Sequence, residues 1–140
     1  MATRSRIGME QADGSVKSIY CHWDGYPDNN GLILDEHYTD PEKVKRLIDL
    51  GDISILRPNC DGGDGHTFDS PLHDETIAYH RDRNEEYNEP RVNKSASDYF
   101  KSDIEEYGYL FTKEGQWLVY EPGSLYQPMT IEDYLTATNQ

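Results

Sequence analysis

The chain has 140 residues and a formal net charge of -14, from 27 Asp and Glu against 13 Lys and Arg. This length favours one domain over residues 1–140. The charge disfavours non-specific binding to nucleic-acid phosphates or to an anionic membrane surface, because both require a basic face. No apolar run is long enough to span a bilayer, and the N-terminus lacks the apolar stretch of a signal peptide. We therefore expect a cytoplasmic protein without membrane contact or direct nucleic-acid binding.

Cysteine and histidine spacing argues against a metal site. Cys21 and Cys60 lie far apart in a chain without an export signal, so we expect two reduced thiols. Zinc needs three or four Cys or His ligands at close spacing. Cys60 with His66 and His73 would supply only an incomplete set, and the acidic loops lack the ligand spacing of an EF-hand. We predict no metal and no cofactor.

The first predicted element is a β-hairpin. Asp13-Gly14 is a strong two-residue turn signal, and β-branched and aromatic residues follow over 16–23. A two-residue turn here would place Glu10 opposite Lys17 as a cross-strand charge pair. Alternation gives the second strand two faces, and we expect the more apolar one in the core. That face carries Ile19, Cys21 and Trp23, and the other carries Tyr20, His22 and Asp24.

Turn, cap and periodicity signals divide the rest of the chain into short elements. The clearest helix begins at Asp40-Pro41, continues with apolar residues at helical spacing and ends before Gly51. A Gly-, Asp- and His-rich stretch over 57–75 is predicted as a long surface loop or a mobile insertion. The other predictions are helices over 31–38, over 95–106 and from residue 130, a strand over 76–80, and a second hairpin with strands over 107–112 and 116–120.

Together these elements predict an α+β fold. Strands and helices are segregated rather than strictly alternating, which favours a mainly antiparallel sheet. We predict a small single domain whose sheet is built from two hairpins and carries three or four short helices.

Two clusters at predicted strand ends are the candidate functional residues. The sequence has no phosphate-binding loop, dinucleotide-binding loop or hydrolase nucleophile elbow, and no catalytic residue is predicted. If the two strands were neighbours, the clusters could line one basic pocket where an aromatic ring stacks on an anionic small molecule or nucleotide. The candidate ligand- or partner-binding residues are His22, Trp23, Asp24, Tyr26, His80, Arg81 and Arg83.

A structural interpretation of the same clusters stays open. Trp23 and Tyr79 would then lie in the core, and the arginines would pair with Asp82, Glu85 or Glu86. The histidines would be partly exposed, and the clusters would stabilise the fold without binding a ligand.

Several short motifs also follow one another in the first part of the chain. They are Ser5-Arg6-Ile7-Gly8, Asp13-Gly14-Ser15-Val16, the run from Ser18 to Pro27, His37-Tyr38, Lys43-Val44, Leu47-Ile48 and the run from Leu50 to Ser54. In this order they resemble a family of small, uncharacterised proteins encoded by tailed phages and prophages, including cyanophages. The resemblance covers residues 4–56 and thins to short pieces at 79–83 and 106–111. It implies a phage origin, and hence the cytoplasm of an infected host cell, but no activity.

Charge placement suggests a partner for the second part of the chain. Residues 1–57 carry 7 basic and 10 acidic side chains, whereas residues 58–140 carry 6 and 17. The acidic part could bind a basic host surface, including by imitating the phosphate spacing of DNA, although interspersed Lys and Arg weaken that imitation. The main hypothesis is a non-enzymatic phage accessory protein that binds and modulates a host protein, of a host-takeover or anti-defence type.

Two other functions stay open from the sequence. One is a module that sequesters or hydrolyses a nucleotide or another anionic small molecule, using the two clusters. The other is a minor virion component. A homodimer is compatible with each of them if Trp23 and Tyr26 are exposed.

Overall fold

The computed structural model describes residues 2–124 and 127–138. Its strands are β1 (Ser5–Glu10), β2 (Val16–Cys21), β3 (Ile53–Ile55), β4 (Ile77–Ala78), β5 (Arg91–Asn93), β6 (Tyr107–Phe111), β7 (Trp117–Tyr120) and β8 (Met129–Thr130). Its helices are α1 (Leu32–His37), α2 (Pro41–Asp49), α3 (Tyr79–Arg83), α4 (Ala96–Lys101) and α5 (Ile131–Thr138), and a π-helical turn over Pro27–Gly31 precedes α1.

The strands form one mixed sheet in the order β4-β3-β2-β1-β6-β7-β8, and β5 pairs with β2 beside β3. The α+β class is confirmed, and the two predicted hairpins are β1–β2 and β6–β7. They are joined by a parallel pairing of β1 with β6. A second parallel contact links β2 to β3, and the other pairings are antiparallel.

The turn of the first hairpin differs from the prediction. Its pairing places Glu10 opposite Val16 and Lys17 opposite Met9, so the predicted Glu10–Lys17 pair is wrong. The loop has three residues rather than two and ends at Gly14, whose φ of 89° is the left-handed conformation that such loops require. The extra residue moves the register by one and therefore changes every cross-strand partner.

Both faces of the sheet are covered in part. On one face α1, α2 and α5 pack over β1, β2 and β6, and Ile7, Ile19 and Tyr109 are fully buried there. On the other face α4 and the segment after it enclose a smaller cluster formed by Val16, Tyr99, Ile104 and Leu110. Helix α4 covers only part of this second face. Side chains of the strands and loops lie on the remaining part.

Trp23 does not continue the buried face of β2. Ile19 and Cys21 are fully buried as predicted, but the strand ends at Cys21 and Trp23 is 42% exposed. Asp24 has a φ of 56°, a left-handed conformation that turns the chain away from the strand direction. The expectation that Trp23 belongs to the core is therefore wrong.

Two further elements are shorter than predicted. The strand over 76–80 is only Ile77–Ala78, and helix α3 follows it. Asp82 Oδ2 accepts a hydrogen bond from Ala78 N at 2.8 Å, which ties the residue before this unpredicted helix to a side chain within it. The helix over 95–106 begins with the Ser95 side chain as its cap but ends at Lys101.

Residues 57–75 form a surface loop without a helix or strand. Its two ends are tied by a bridge between Asn59 and Glu75 and by a hydrogen bond from Gly62 N to Glu75 Oε2 at 2.9 Å. The remaining predicted helices are confirmed as α1, α2 and α5.

Candidate functional site

The chain segment 22–31, called here the aromatic loop, leaves β2 and leads through the π-helical turn into α1. Its first two residues still bond to β3, from His22 N to Ile53 O and from Trp23 N to Ser54 O. The loop therefore begins as an extension of the sheet rather than as a free segment.

Buried hydrogen bonds fix the middle of the aromatic loop. Gly25 N donates to Thr3 O at 2.9 Å, and Gly25 O accepts from the buried Tyr109 hydroxyl at 2.6 Å. Gly25 must be glycine, because a Cβ atom there would lie 2.7 Å from Ser5 Cβ. The Asn30 amide donates to Ser5 Oγ and to the Cys21 sulfur, so the end of the loop is fixed as well.

Two aromatic side chains point outward from this fixed backbone. Trp23 is 42% and Tyr26 is 38% exposed. The Trp23 ring packs edge-on against His22 with 4.8 Å between ring centroids, and His22 Nδ1 shares a 2.7 Å hydrogen bond with the Tyr20 hydroxyl. These contacts limit the rotamers of His22 and Trp23 without burying the indole.

The cavity beside Tyr26 is acidic. Glu105, Glu106 and Glu121 line it together with Tyr26 and Tyr107. Arg4 approaches the first two carboxylates at 3.5 Å and 3.9 Å, but its side chain is half exposed, so these ion pairs are screened by solvent. The predicted basic pocket is therefore not found at this end of the aromatic loop, and the local charge has the same sign as the whole chain.

Arg81, from the second predicted cluster, forms its hydrogen bonds with other groups of the fold. Its guanidinium donates to Cys60 O at 2.6 Å, to Thr76 O at 2.7 Å and to both carboxylate oxygens of Asp82. This corresponds to the structural interpretation of the cluster, in which the arginine pairs with Asp82. Arg81 joins the start of the 57–75 loop to helix α3.

His80 and Arg83 lie on the exposed side of α3. His80 Nδ1 contacts Glu85 O at 2.8 Å, and its ring packs against Tyr87. Arg83 lies over the Phe68 ring and forms a 3.3 Å ion pair with Glu85, which is also the structural interpretation. Both side chains are accessible, but each has a partner within the chain.

The two predicted clusters do not converge on one pocket. Strand β3 lies between β2 and β4, and Cys21, Ile53 and Ala78 stand at the same level across the sheet. After Cys21 the chain runs forward beside β3, whereas after Ala78 it passes back towards Asp52, to whose carbonyl Tyr79 N donates. The expected shared pocket fails because β2 and β4 run in opposite directions.

A buried histidine–aspartate pair was not singled out from the sequence. The side chains of His66 and Asp82 are 1% and 3% exposed, and His66 Nε2 lies 3.1 Å from Asp82 Oδ2. Since His66 Nδ1 accepts a hydrogen bond from Leu72 N, the ring is the neutral Nε2–H tautomer, and Nε2 donates to Asp82. Burial alone would raise the pKa of Asp82, but hydrogen bonds from Arg81 and from Ala78 N hold it below its ordinary value.

Neither cysteine is suited to nucleophilic chemistry. Both thiols are free and buried. Burial raises the pKa of Cys21 to about 11 and also raises the pKa of Cys60. At neutral pH both are therefore thiols rather than thiolates. Within residues 2–124 and 127–138, no group of three or more Asp, Glu, His or Cys side chains is arranged to hold a metal ion.

Sequence reasoning missed the acidic residues around Tyr26 and the pair Arg6 and Arg91. Glu105 and Glu121 reach the aromatic loop only through the parallel pairing of β1 with β6 and the hairpin that follows. Their only signal in the sequence is the acidic excess after residue 57. Arg6 and Arg91 come together across β2, and no short-range pattern links them.

Comparison of the chain with protein-family models, with curated proteins and with solved structures gave no match. In the part of the chain that the structure describes, no helix is both long and apolar enough to cross a membrane. Functional inference therefore depends on the geometry of the aromatic loop and its surroundings.

Proposed function

We propose that this chain is a phage accessory protein that binds a host protein through the aromatic loop and modulates it without catalysis. The observation that carries the proposal is the exposure of Trp23 and Tyr26 on a backbone fixed by buried hydrogen bonds. Trp and Tyr are enriched among the residues that dominate interface energies. A preformed loop also loses little conformational entropy when a partner binds.

The charge around the aromatic loop favours a basic partner surface. Asp24 and Asp28 are exposed on the loop, and Glu105, Glu106 and Glu121 line the adjacent cavity. A Lys or Arg side chain of a partner could pair with these carboxylates and lie over the Tyr26 ring. Such a complex would form faster and bind more tightly at low salt.

The resemblance to phage proteins supports the same surface. It covers residues 4–56, which include strand β1 and the whole aromatic loop with Gly25. A phage protein of this kind would act in the cytoplasm of the infected cell. The three glutamates that line the cavity come from the later, less similar part of the chain, which suits adaptation to one particular host protein.

The proposal is tested by capture of host proteins on the immobilised chain at low salt. We expect one or more host proteins to be retained by the wild-type chain and released as salt rises. A Trp23→Ala/Tyr26→Ala double variant should lose them. Val92→Ala is the matched control, because Val92 is 61% exposed on β5, away from the aromatic loop. Equal retention by the double variant, or equal loss in the control, would contradict the proposal.

A further inference from the structure

Arg6 and Arg91 lie close together on the sheet face that α4 covers only in part. In the sheet register Arg91 stands opposite Ser18, and Arg6 stands opposite Tyr20, the next residue on that face of β2. Both arginines are half-buried. Ser18 lies between them, and Arg6 donates to its hydroxyl at 3.1 Å and to its carbonyl at 3.3 Å.

Neither guanidinium has a carboxylate partner. In the described part of the chain, no Asp or Glu oxygen lies within 4.0 Å of either group, although acidic residues outnumber basic ones by 27 to 13 over the whole sequence. Asp52 and Glu105 act on Arg6 only from a greater distance. Asp52 accepts from Tyr20 N, and Glu105 is paired with Arg4.

One buried donor at the pair is left without a partner. Arg91 Nη2 donates to Ser102 Oγ and Asp103 O, both at 2.9 Å. Arg91 Nε is buried and has no hydrogen-bond partner among the described residues. Buried donors are almost always paired, so this unpaired nitrogen shows that donors outnumber acceptors around the two arginines.

The electrostatics agree with two cations held side by side. Burial, and after it the charge of Arg91, lowers the pKa of Arg6. Burial raises the pKa of the Tyr99 hydroxyl, and the charges of Arg6 and Arg91 both act in the opposite direction. An arrangement that brings like charges together and leaves them without counter-charge is stabilised by a bound anion.

We propose that Arg6 and Arg91, with Ser18 between them, form a binding site for a phosphate group. The hydrogen bonds to Ser18, Ser102 and Asp103 use other guanidinium nitrogens and leave Nη1 of each arginine to donate to phosphate oxygens, and the combined charge of the two guanidiniums balances a dianion. A single carboxylate would leave one guanidinium without compensation. The site is separate from the aromatic loop and from Arg81 and Arg83. Its test is therefore independent of the test of host-protein binding.

Titration of the full chain with inorganic phosphate at constant ionic strength tests the site. Arginine Nε–H resonances are followed by NMR, and the melting temperature is measured in parallel. We expect saturable shifts confined to Arg6 and Arg91 and a rise in melting temperature with phosphate. Arg6→Gln and Arg91→Gln should each weaken phosphate binding at least ~10-fold, as expected for the loss of a charge-assisted hydrogen bond.

Matched variants separate phosphate binding from a structural role. Arg83→Gln removes an exposed arginine elsewhere and should leave the phosphate response unchanged. Arg6→Lys keeps the charge but loses the planar donor pair, so it should fold and bind phosphate more weakly. A purely structural role predicts no saturable response to phosphate beyond that to chloride, which would overturn the proposal. An equal loss in Arg83→Gln, or acetate binding as tight as phosphate binding, would also overturn it.

Discussion

Tyr109 links the core to the aromatic loop through a single hydroxyl group. Its ring is fully buried, and its hydroxyl donates to Gly25 O at 2.6 Å. The sequence predicted a β-strand at this position, but it gave no sign that the side chain reaches a residue 84 positions away. Contacts of this kind depend on strand order, which local patterns do not encode.

Tyr109→Phe should therefore lower stability and loosen the aromatic loop. The substitution keeps the ring and leaves a buried carbonyl without its donor, at a cost of about 1–3 kcal/mol in the free energy of unfolding. Urea unfolding measures this change. Tyr120→Phe is the control, because the Tyr120 hydroxyl has no hydrogen-bond partner among the described residues, and it should change stability by less than about 0.5 kcal/mol. Equal effects of the two substitutions would show that the Gly25 contact adds nothing.

Asp82 gives the fold a definite pH dependence. Its folded pKa lies below its ordinary value, so its contribution to stability is complete above that value, about 3.9. The contribution is then lost as the pH falls further through the folded pKa. Asp82→Asn should be clearly less stable than wild type at pH 7, and the difference should shrink at pH 3.

Unfolding in urea at both pH values measures this difference. Asp69→Asn, an exposed substitution in the 57–75 loop, should behave like wild type at each pH. If the gap between Asp82→Asn and wild type were the same at pH 3 as at pH 7, the charge of Asp82 would not be the source of its contribution.

At the scale of elements, the sequence predicted most helices and both hairpins because each has a local cause. Asp40 caps the start of α2, and Gly51, with a positive φ, follows its end. Gly14, also with a positive φ, completes the turn of the first hairpin. Helix α3 was missed because it has only five residues and no side chain caps its start. The early end of α4 was missed as well, since the acidic residues after Lys101 suit a helix as well as a loop.

The 57–75 loop should depend on Arg81 for its protection. Arg81 joins Cys60 O and Thr76 O to Asp82, so Arg81→Met removes the connection between the loop and α3 while keeping most of the side-chain volume. Limited proteolysis should then cut within 57–75 at least ~10-fold faster than in wild type, as local opening becomes easier by more than about 1.4 kcal/mol. Lys45→Met, on the exposed side of α2, removes a side chain that pairs with Asp49 and should leave the cutting rate unchanged. A faster rate in that variant would contradict this role for Arg81.

At the scale of the whole molecule, the net charge of -14 is unevenly distributed, and two regions of the surface differ in the sign of their local charge. Around Tyr26 the carboxylates add to the general acidity and favour a basic partner. At Arg6 and Arg91 two cations stand without counter-charge. The sequence-based hypothesis of an anion-binding pocket used Arg81 and Arg83 instead, because clustering along the chain was the only signal available before the sheet order was known.

A preformed binding surface on the aromatic loop predicts a specific loss of affinity when its two exposed rings are removed. For a host protein retained by the chain, isothermal titration at low salt compares wild type, Trp23→Ala/Tyr26→Ala and Val92→Ala. We predict a loss of at least ~100-fold in affinity for the double variant, about 2.8 kcal/mol, and an unchanged affinity for Val92→Ala. An unchanged affinity in the double variant, with the fold intact, would contradict the account.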